Sequence, residues 1–253
     1  MMDKYTEQNK NAWEYNAYDF WVSQSGTPSE RAKKDIESPR AMLKKYSKYF
    51  ADVKGLRIAN ICGSCGKKAI PLSLLGAEVT IFDISEDNMR YACETAAAAN
   101  THIDYVVGDV MNIDMSTYGG CFDIVFMEGG VLHYFFDING FMVIMKNLLK
   151  DGGKMICSDF HPIHKVLDVL SLGNKPSDYF STDITECEMA HAKLYNDDVR
   201  KNFPKCFIRR YTLSEIINSV IITGFTIKSF DEHPAWTDSK LPGEFTLLAD
   251  KVH

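Results

Sequence analysis

Three short stretches of this sequence combine residue types that could grip a nucleoside. Asn60-Ile61-Cys62-Gly63-Ser64-Cys65-Gly66 closes an apolar run where the chain must turn. Gly63 and Gly66 let the backbone bend sharply and approach a ligand with no Cβ in the way. Amides at the start of a following helix favour a carboxylate or phosphate. Asp83 ends Val79-Thr80-Ile81-Phe82, twenty residues after Gly63. At that spacing an acidic side chain can accept hydrogen bonds from both hydroxyls of a ribose. Asp109, in Gly108-Asp109-Val110, ends the next such run and could accept from the exocyclic amine of adenine. Each feature alone also reads as an ordinary turn or helix cap; together they describe a nucleoside pocket.

The elements that must position these residues alternate. Leu56–Cys62, Glu78–Phe82, Ile103–Val107, Phe122–Met127 and Lys154–Ser158 read as buried strands. Between them, helices are expected over Gly66–Leu75, from an N-cap at Ser85 to Asn100, and over Ile138–Lys150, the last stopped by Asp151-Gly152-Gly153. Such alternation implies a parallel sheet with both faces covered, and ligands bind such sheets at the carboxyl ends of the strands. Upstream, Trp13, Tyr15, Tyr18, Phe20 and Trp21 mark an aromatic helix, Gln24–Ser29 a break, and Ser29–Phe50 a second helix. Residues 161–208, with Pro162, Gly173, Pro176 and Pro204, lose the rhythm and read as an insertion over the carboxyl edge of the sheet. Tyr179, Phe180, Tyr195 and Phe203 would make it a partly apolar substrate wall. A helix Ser214–Thr223 and strands Phe225–Phe230 and Phe245–Asp250 then suggest a terminal hairpin.

Composition narrows the partners. A chain of 253 residues, 45% hydrophobic and 25% charged, can bury a substantial core. Its net charge of -6 offers no basic stripe, so nucleic acid is not expected as a partner. The polar stretch Met1–Asn11 shows no signal peptide, no apolar run is long enough for a membrane span, and seven scattered cysteines fit reduced thiols. A cytoplasmic enzyme with a small-molecule substrate is the expectation; the oligomeric state is left open.

From Gly55 to Pro162 the chain resembles the core of the class I, Rossmann-like S-adenosylmethionine-dependent methyltransferases of the small-molecule type. The resemblance rests on residues 58–66, on Gly76-Ala77-Glu78-Val79-Thr80-Ile81-Phe82-Asp83-Ile84-Ser85, and on Gly108-Asp109-Val110. It continues through Phe122–Met127, Gly130-Val131-Leu132-His133-Tyr134 and Leu148-Leu149-Lys150-Asp151-Gly152-Gly153-Lys154, with flanking likeness at Asn11-Ala12-Trp13, Tyr211-Thr212-Leu213 and Gly224-Phe225. It implies an α/β fold: a doubly wound, mostly parallel seven-stranded sheet with a terminal antiparallel hairpin. The chain is expected to form a single domain over 1–253, with a helical lid (1–54), a cofactor-binding core (55–160), a cap in the insertion outside the resemblance (161–208) and a C-terminal helix and strands (209–253). S-adenosylmethionine is the implied cofactor, held by Asn60, Gly63, Ser64, Gly66, Asp83, Ile84, Met89, Asp109, Val110, Met127, Glu128 and Leu132, with Trp13 and Tyr18 folding over it. His133 and His161 are the candidate catalytic bases, and no metal is implied. The family's turn usually reads acid-x-Gly-x-Gly-x-Gly; in that register this chain has Asn60, Cys62, Ser64 and Gly66, with Gly63 out of step.

Other readings of the same residues exist. Cys62-Gly63-Ser64-Cys65 is a C-x-x-C after a strand, as in thioredoxin-like redox sites, but that leaves Asp83 and Asp109 unexplained. A structural zinc needs four ligands, and no second close cysteine pair follows. An NAD(P)-dependent oxidoreductase would use Asp83 on a ribose and Lys67 and Lys68 on phosphates, though the G-x-G-x-x-G fingerprint is incomplete. A non-catalytic nucleoside-binding protein is the third reading.

Overall fold

The computed structural model describes residues 4–164, 166, 178–236 and 238–252; Gly173 and Pro176 of the expected insertion lie outside them. The apolar runs become strands where the sequence reading puts them. They are β1 (Arg57–Ile61), β2 (Glu78–Asp83), β3 (Asp104–Val107), β4 (Phe122–Met127), β5 (Leu149–Phe160), β8 (Phe225–Pro234) and β9 (Pro242–Lys251). These form one seven-stranded sheet in the order β3-β2-β1-β4-β5-β9-β8. The strands β6 (Ile184–Glu188) and β7 (Lys205–Arg209) form a separate two-stranded sheet within the expected insertion. β1, β2 and β3 pair in parallel, as do β4 and β5, whereas β9 runs antiparallel to both β5 and β8. The mostly parallel sheet with a terminal hairpin is therefore as expected.

The described chain divides into two compact units, Met1–Asp114 with Glu186–Phe207, and Met115–Thr185 with Ile208–His253. In the first, Ile58, Ile61, Leu72, Phe82 and Tyr91 are buried under the helices α1 (Lys4–Glu14), α2 (Ala17–Ser25), α3 (Pro28–Glu37), α4 (Pro39–Met42), α5 (Ala69–Leu74) and α6 (Glu86–Ala98). Parallel register places Asp83 opposite Val107, so the carboxyl ends of β2 and β3 lie side by side, and the Gly108 amide donates to the Asp83 carbonyl. Ser85 caps α6 as its sequence position suggests, its Oγ accepting from the Asn88 amide at 3.1 Å. In the second unit, Phe126, Phe141, Leu148 and Phe245 are buried among β4, β5, β9, α7 (Met115–Tyr118), α8 (Ile138–Leu148) and the C-terminal helix Leu213–Ile222.

Several boundaries differ from the sequence reading, each for a local reason. The expected helix Ser29–Phe50 is three pieces: α3, α4 and a 3-10 turn at Lys44–Tyr49. The break falls at Ser38 (φ -151°, ψ 70°), since the ring of Pro39 excludes the residue before it from helical geometry. The aromatic lead is two helices, broken where Asn16 turns left-handed at φ 54°. The helix expected over Ile138–Lys150 ends at Leu148, where Leu149 is already extended; Gly152 and Gly153 sit inside β5 and do not stop it. No helix among the described residues is long and apolar enough to cross a membrane.

Candidate active site

The turn after β1 runs through three left-handed residues in alternation, Cys62 (φ 49°), Ser64 (φ 49°) and Gly66 (φ 75°). These are the three positions at which the resemblance calls for glycine. The backbone follows that path although two of the three residues carry a Cβ, at a cost of about 1–2 kcal/mol each. Gly63 answers a different demand. A Cβ there would lie 2.6 Å from Oδ1 of Asn60, whose side chain tucks under the turn and leaves the residue only 2% exposed. The glycine out of step in the sequence thus makes room for Asn60.

Asp83 closes the back of this turn. Its Oδ2 accepts from the Ser64 amide at 2.9 Å; its Oδ1 accepts from the Ser85 amide at 3.1 Å and from Asn88 Nδ2 at 3.3 Å. Burial pushes its carboxyl above the usual range, opposed by these donors. The Ile84 amide is a further donor, so the roughly four acceptor positions of the carboxylate are met within the protein. Ile84, next in the chain, and Met89, on α6, are both half-buried. Asp109 caps the 3-10 turn Val110–Asn112, accepting from the Met111 amide at 2.9 Å and from Asn112 Nδ2 at 2.8 Å, with Val110 buried beneath. The Ser64 carbonyl accepts from Tyr105, whereas Ser64 Oγ is buried and without a partner.

The N-terminal helices α1, α2 and α3 lean on α6. Trp21 Nε1 donates to Asn88 Oδ1 at 2.7 Å, and the Lys67 ammonium lies 4.4 Å from the centre of the Trp21 ring. Glu14 accepts from the amides of Glu86 and Asp87, adding an anionic cap on α6 to the hydroxyl of Ser85. Tyr18 faces α6: its hydroxyl donates to Glu94, which raises its pKa, and Arg90 stacks 4.0 Å from its ring centre. Trp13 meets the imidazole of His191 edge-on at 5.9 Å. His191 also stacks on Phe20 at 4.5 Å and meets Phe203 at 5.5 Å. Burial pulls its pKa down to about 4, against a bond to the Tyr15 backbone, and Nε2 is left without a partner.

In the second unit, Met127 ends β4 fully buried, Glu128 is half-buried and Leu132 is buried in a 3-10 turn with His133 and Tyr134. Asp159 holds that segment, its Oδ2 accepting from the amides of Val131 and Leu132, both at 2.8 Å. The His133 ring lies 4.3 Å from Tyr134 and 6.4 Å from Phe160, nearly parallel to the latter. His161 is buried; its Nδ1 accepts from the Ile163 amide and its Nε2 stands 3.0 Å from Glu232 Oε1. Burial lowers its pKa while Glu232 opposes the shift. The structure therefore gathers Asn60, Gly63, Ser64, Gly66 and Asp83 around one turn, with Asp109 at the next strand end. Asn88, Asp159 and Glu232 are the partners that sequence reasoning missed; only Asp159 carried a signal, as an acid at a strand end.

Residues 61–157 match a protein-family model described as a methyltransferase domain. A ubiquinone biosynthesis O-methyltransferase of Mesorhizobium japonicum is 33% identical over 121 residues, 47% of each chain. One of a Ruegeria species is 36% identical over 109 residues, 43% of this chain and 42% of that protein. The chain spans about half the length of the curated relatives it matches. Among solved structures, an S-adenosylmethionine dependent methyltransferase from Mesorhizobium loti has a TM-score of 0.59 at 21% identity, covering 85% of this chain and 97% of that one. A magnesium protoporphyrin IX methyltransferase from Synechocystis, with bound SAH, has a TM-score of 0.61 at 17% identity, covering 98% and 100%. Residues 61–157 thus match a methyltransferase domain, and the fold of the chain is that of the class I, Rossmann-like methyltransferases.

Proposed function

We propose that this chain transfers a methyl group from S-adenosylmethionine to a small-molecule acceptor. The observation that carries this reading is the left-handed alternation at Cys62, Ser64 and Gly66, braced by Asp83. A nucleoside with an amino-acid tail fits what the turn leaves open: Ser64 Oγ is buried without a partner, beside the Asp83 carboxylate that the Ser64 amide meets at the end of β2. Asp83 with Ile84 would take the ribose, Asp109 with Val110 and Met89 the adenine, and the turn with Asn60 the tail. Met127, Glu128, Leu132, Trp13 and Tyr18 are proposed as further cofactor contacts. When bound, the sulfonium supplies both the methyl group and its leaving group, so the protein's task is to align an acceptor and exclude water. The names of the curated relatives favour a hydroxyl acceptor, which needs a proton acceptor. We propose His133 and His161 for that role; the Glu232 carboxylate beside His161 Nε2 would stabilise the imidazolium formed there.

Titration calorimetry with S-adenosylmethionine and with NADH tests the reading against an oxidoreductase or a generic nucleoside binder. Saturable binding of the methyl donor alone is expected. In Asp83→Ala its affinity should fall at least tenfold, about 1.4 kcal/mol. Binding of NADH in preference would move the chain to the oxidoreductase reading.

A further inference from the structure

We propose that Cys187 and Cys206 form a redox modification site, closing into a disulfide by exchange with an oxidised low-molecular-weight thiol. Cys187 lies on β6 and Cys206 on β7, the pair that forms the two-stranded sheet, and their Sγ atoms are 3.2 Å apart. A disulfide needs about 2.05 Å. The sulfurs must approach by only about 1.1 Å, within reach of small side-chain rotations. Access is asymmetric in the way exchange requires: Cys187 is half-buried and reachable, Cys206 buried. The Cys187 thiolate attacks the small disulfide, releasing one equivalent of small thiol. Cys206, losing its proton to solvent, then attacks the Cys187 sulfur and releases the second. Two protein thiols and one small disulfide become one protein disulfide and two small thiols, with no other oxidant.

The C-x-x-C of Cys62 and Cys65, which drew the eye in the sequence, is the poorer pair. Burial pushes the Cys65 thiol up to about 12, leaving almost no thiolate. The site also has a structural consequence. Residues 188–205, which lie between the two cysteines, carry His191 and Phe203, the rings that pack on Trp13, Tyr15 and Phe20. The disulfide would fix both ends of that segment.

The test uses the whole chain, reduced, freed of reductant and incubated with excess oxidised glutathione. Remaining thiols are trapped with N-ethylmaleimide in denaturant, and peptides are mapped by mass spectrometry. Two of the seven thiols should disappear into a Cys187–Cys206 cross-link that dithiothreitol reverses. Cys206→Ser should instead hold one glutathione on Cys187, and hydrogen exchange over 188–205 should slow on oxidation only in the unsubstituted chain. Recovery of both cysteines as maleimide adducts, or a cross-link joining Cys62 to Cys65 in their place, would overturn the proposal.

Discussion

The amide of Ser64 donates to Oδ2 of Asp83 at 2.9 Å, tying a left-handed residue of the β1 turn to the acid that ends β2. This bond couples the carboxylate, also held by Ser85 and Asn88, to the shape of the turn. A residue with a Cβ is tolerated in that conformation because the amide it presents has a buried anion to meet.

Ser64→Gly keeps the amide and removes the Cβ. It should stabilise the chain by about 0.5–1 kcal/mol, the relief of left-handed strain less the entropy of a freer unfolded chain. Ser64→Val, branched at Cβ, should cost about 2 kcal/mol or more. Urea denaturation of both variants checks the sign, and a loss of stability in Ser64→Gly would contradict the strain assignment.

Trp21→Phe deletes the indole N–H that holds Asn88, which in turn donates to Asp83. The expected cost is about 1 kcal/mol, with faster hydrogen exchange in α2 than in α5. Equal exchange in the two helices would show that Trp21 does not hold α2.

Asp159→Asn turns one carboxylate oxygen into an NH2 donor, set against the amides of Val131 and Leu132 or against that of Phe160, and removes the charge from the oxygen that is left. A loss of about 2 kcal/mol is expected from these charge-assisted bonds, measured by urea denaturation. An unchanged midpoint would mean that the segment carrying His133 is held by other contacts.

His191 gives the fold an acid-sensitive element. Its folded pKa of about 4 lies below the ordinary 6.5, so the unfolded chain takes up this proton first. The contribution is intact above about pH 6.5 and is lost as pH falls towards 4, in total on the order of 3 kcal/mol. Against the wild type, His191→Phe should flatten the stability profile between pH 6.5 and 4.5, other titrating groups being common to both chains. Parallel profiles would show that the imidazole does not titrate in this way.

Much of the sheet was legible because buried strands announce themselves as apolar runs; Phe122–Met127 has the same limits in sequence and structure. What stayed hidden depended on conformations that residue type does not declare. Cys62 and Ser64 turn left-handed, which their residue types do not declare and only the register of the resemblance hinted at, and Gly63 looked like part of the turn while serving Asn60. The Gly152-Gly153 pair reads as a helix stop but lies within β5. Asp83 and Asp109 were visible as acids at strand ends, yet their donors come from Ser64, Asn88 and Asn112, sites set by the folded turns. The strands β6 and β7 escaped because their residues are largely exposed or half-buried, without an apolar run to mark them.

The most direct test of the methyl-donor site is a crystal of the whole chain soaked in S-adenosylhomocysteine. Density is expected with the ribose hydroxyls on Asp83 and the amino-acid tail along Cys62–Gly66. An empty turn, or the nucleoside seated away from both Asp83 and Asp109, would contradict it.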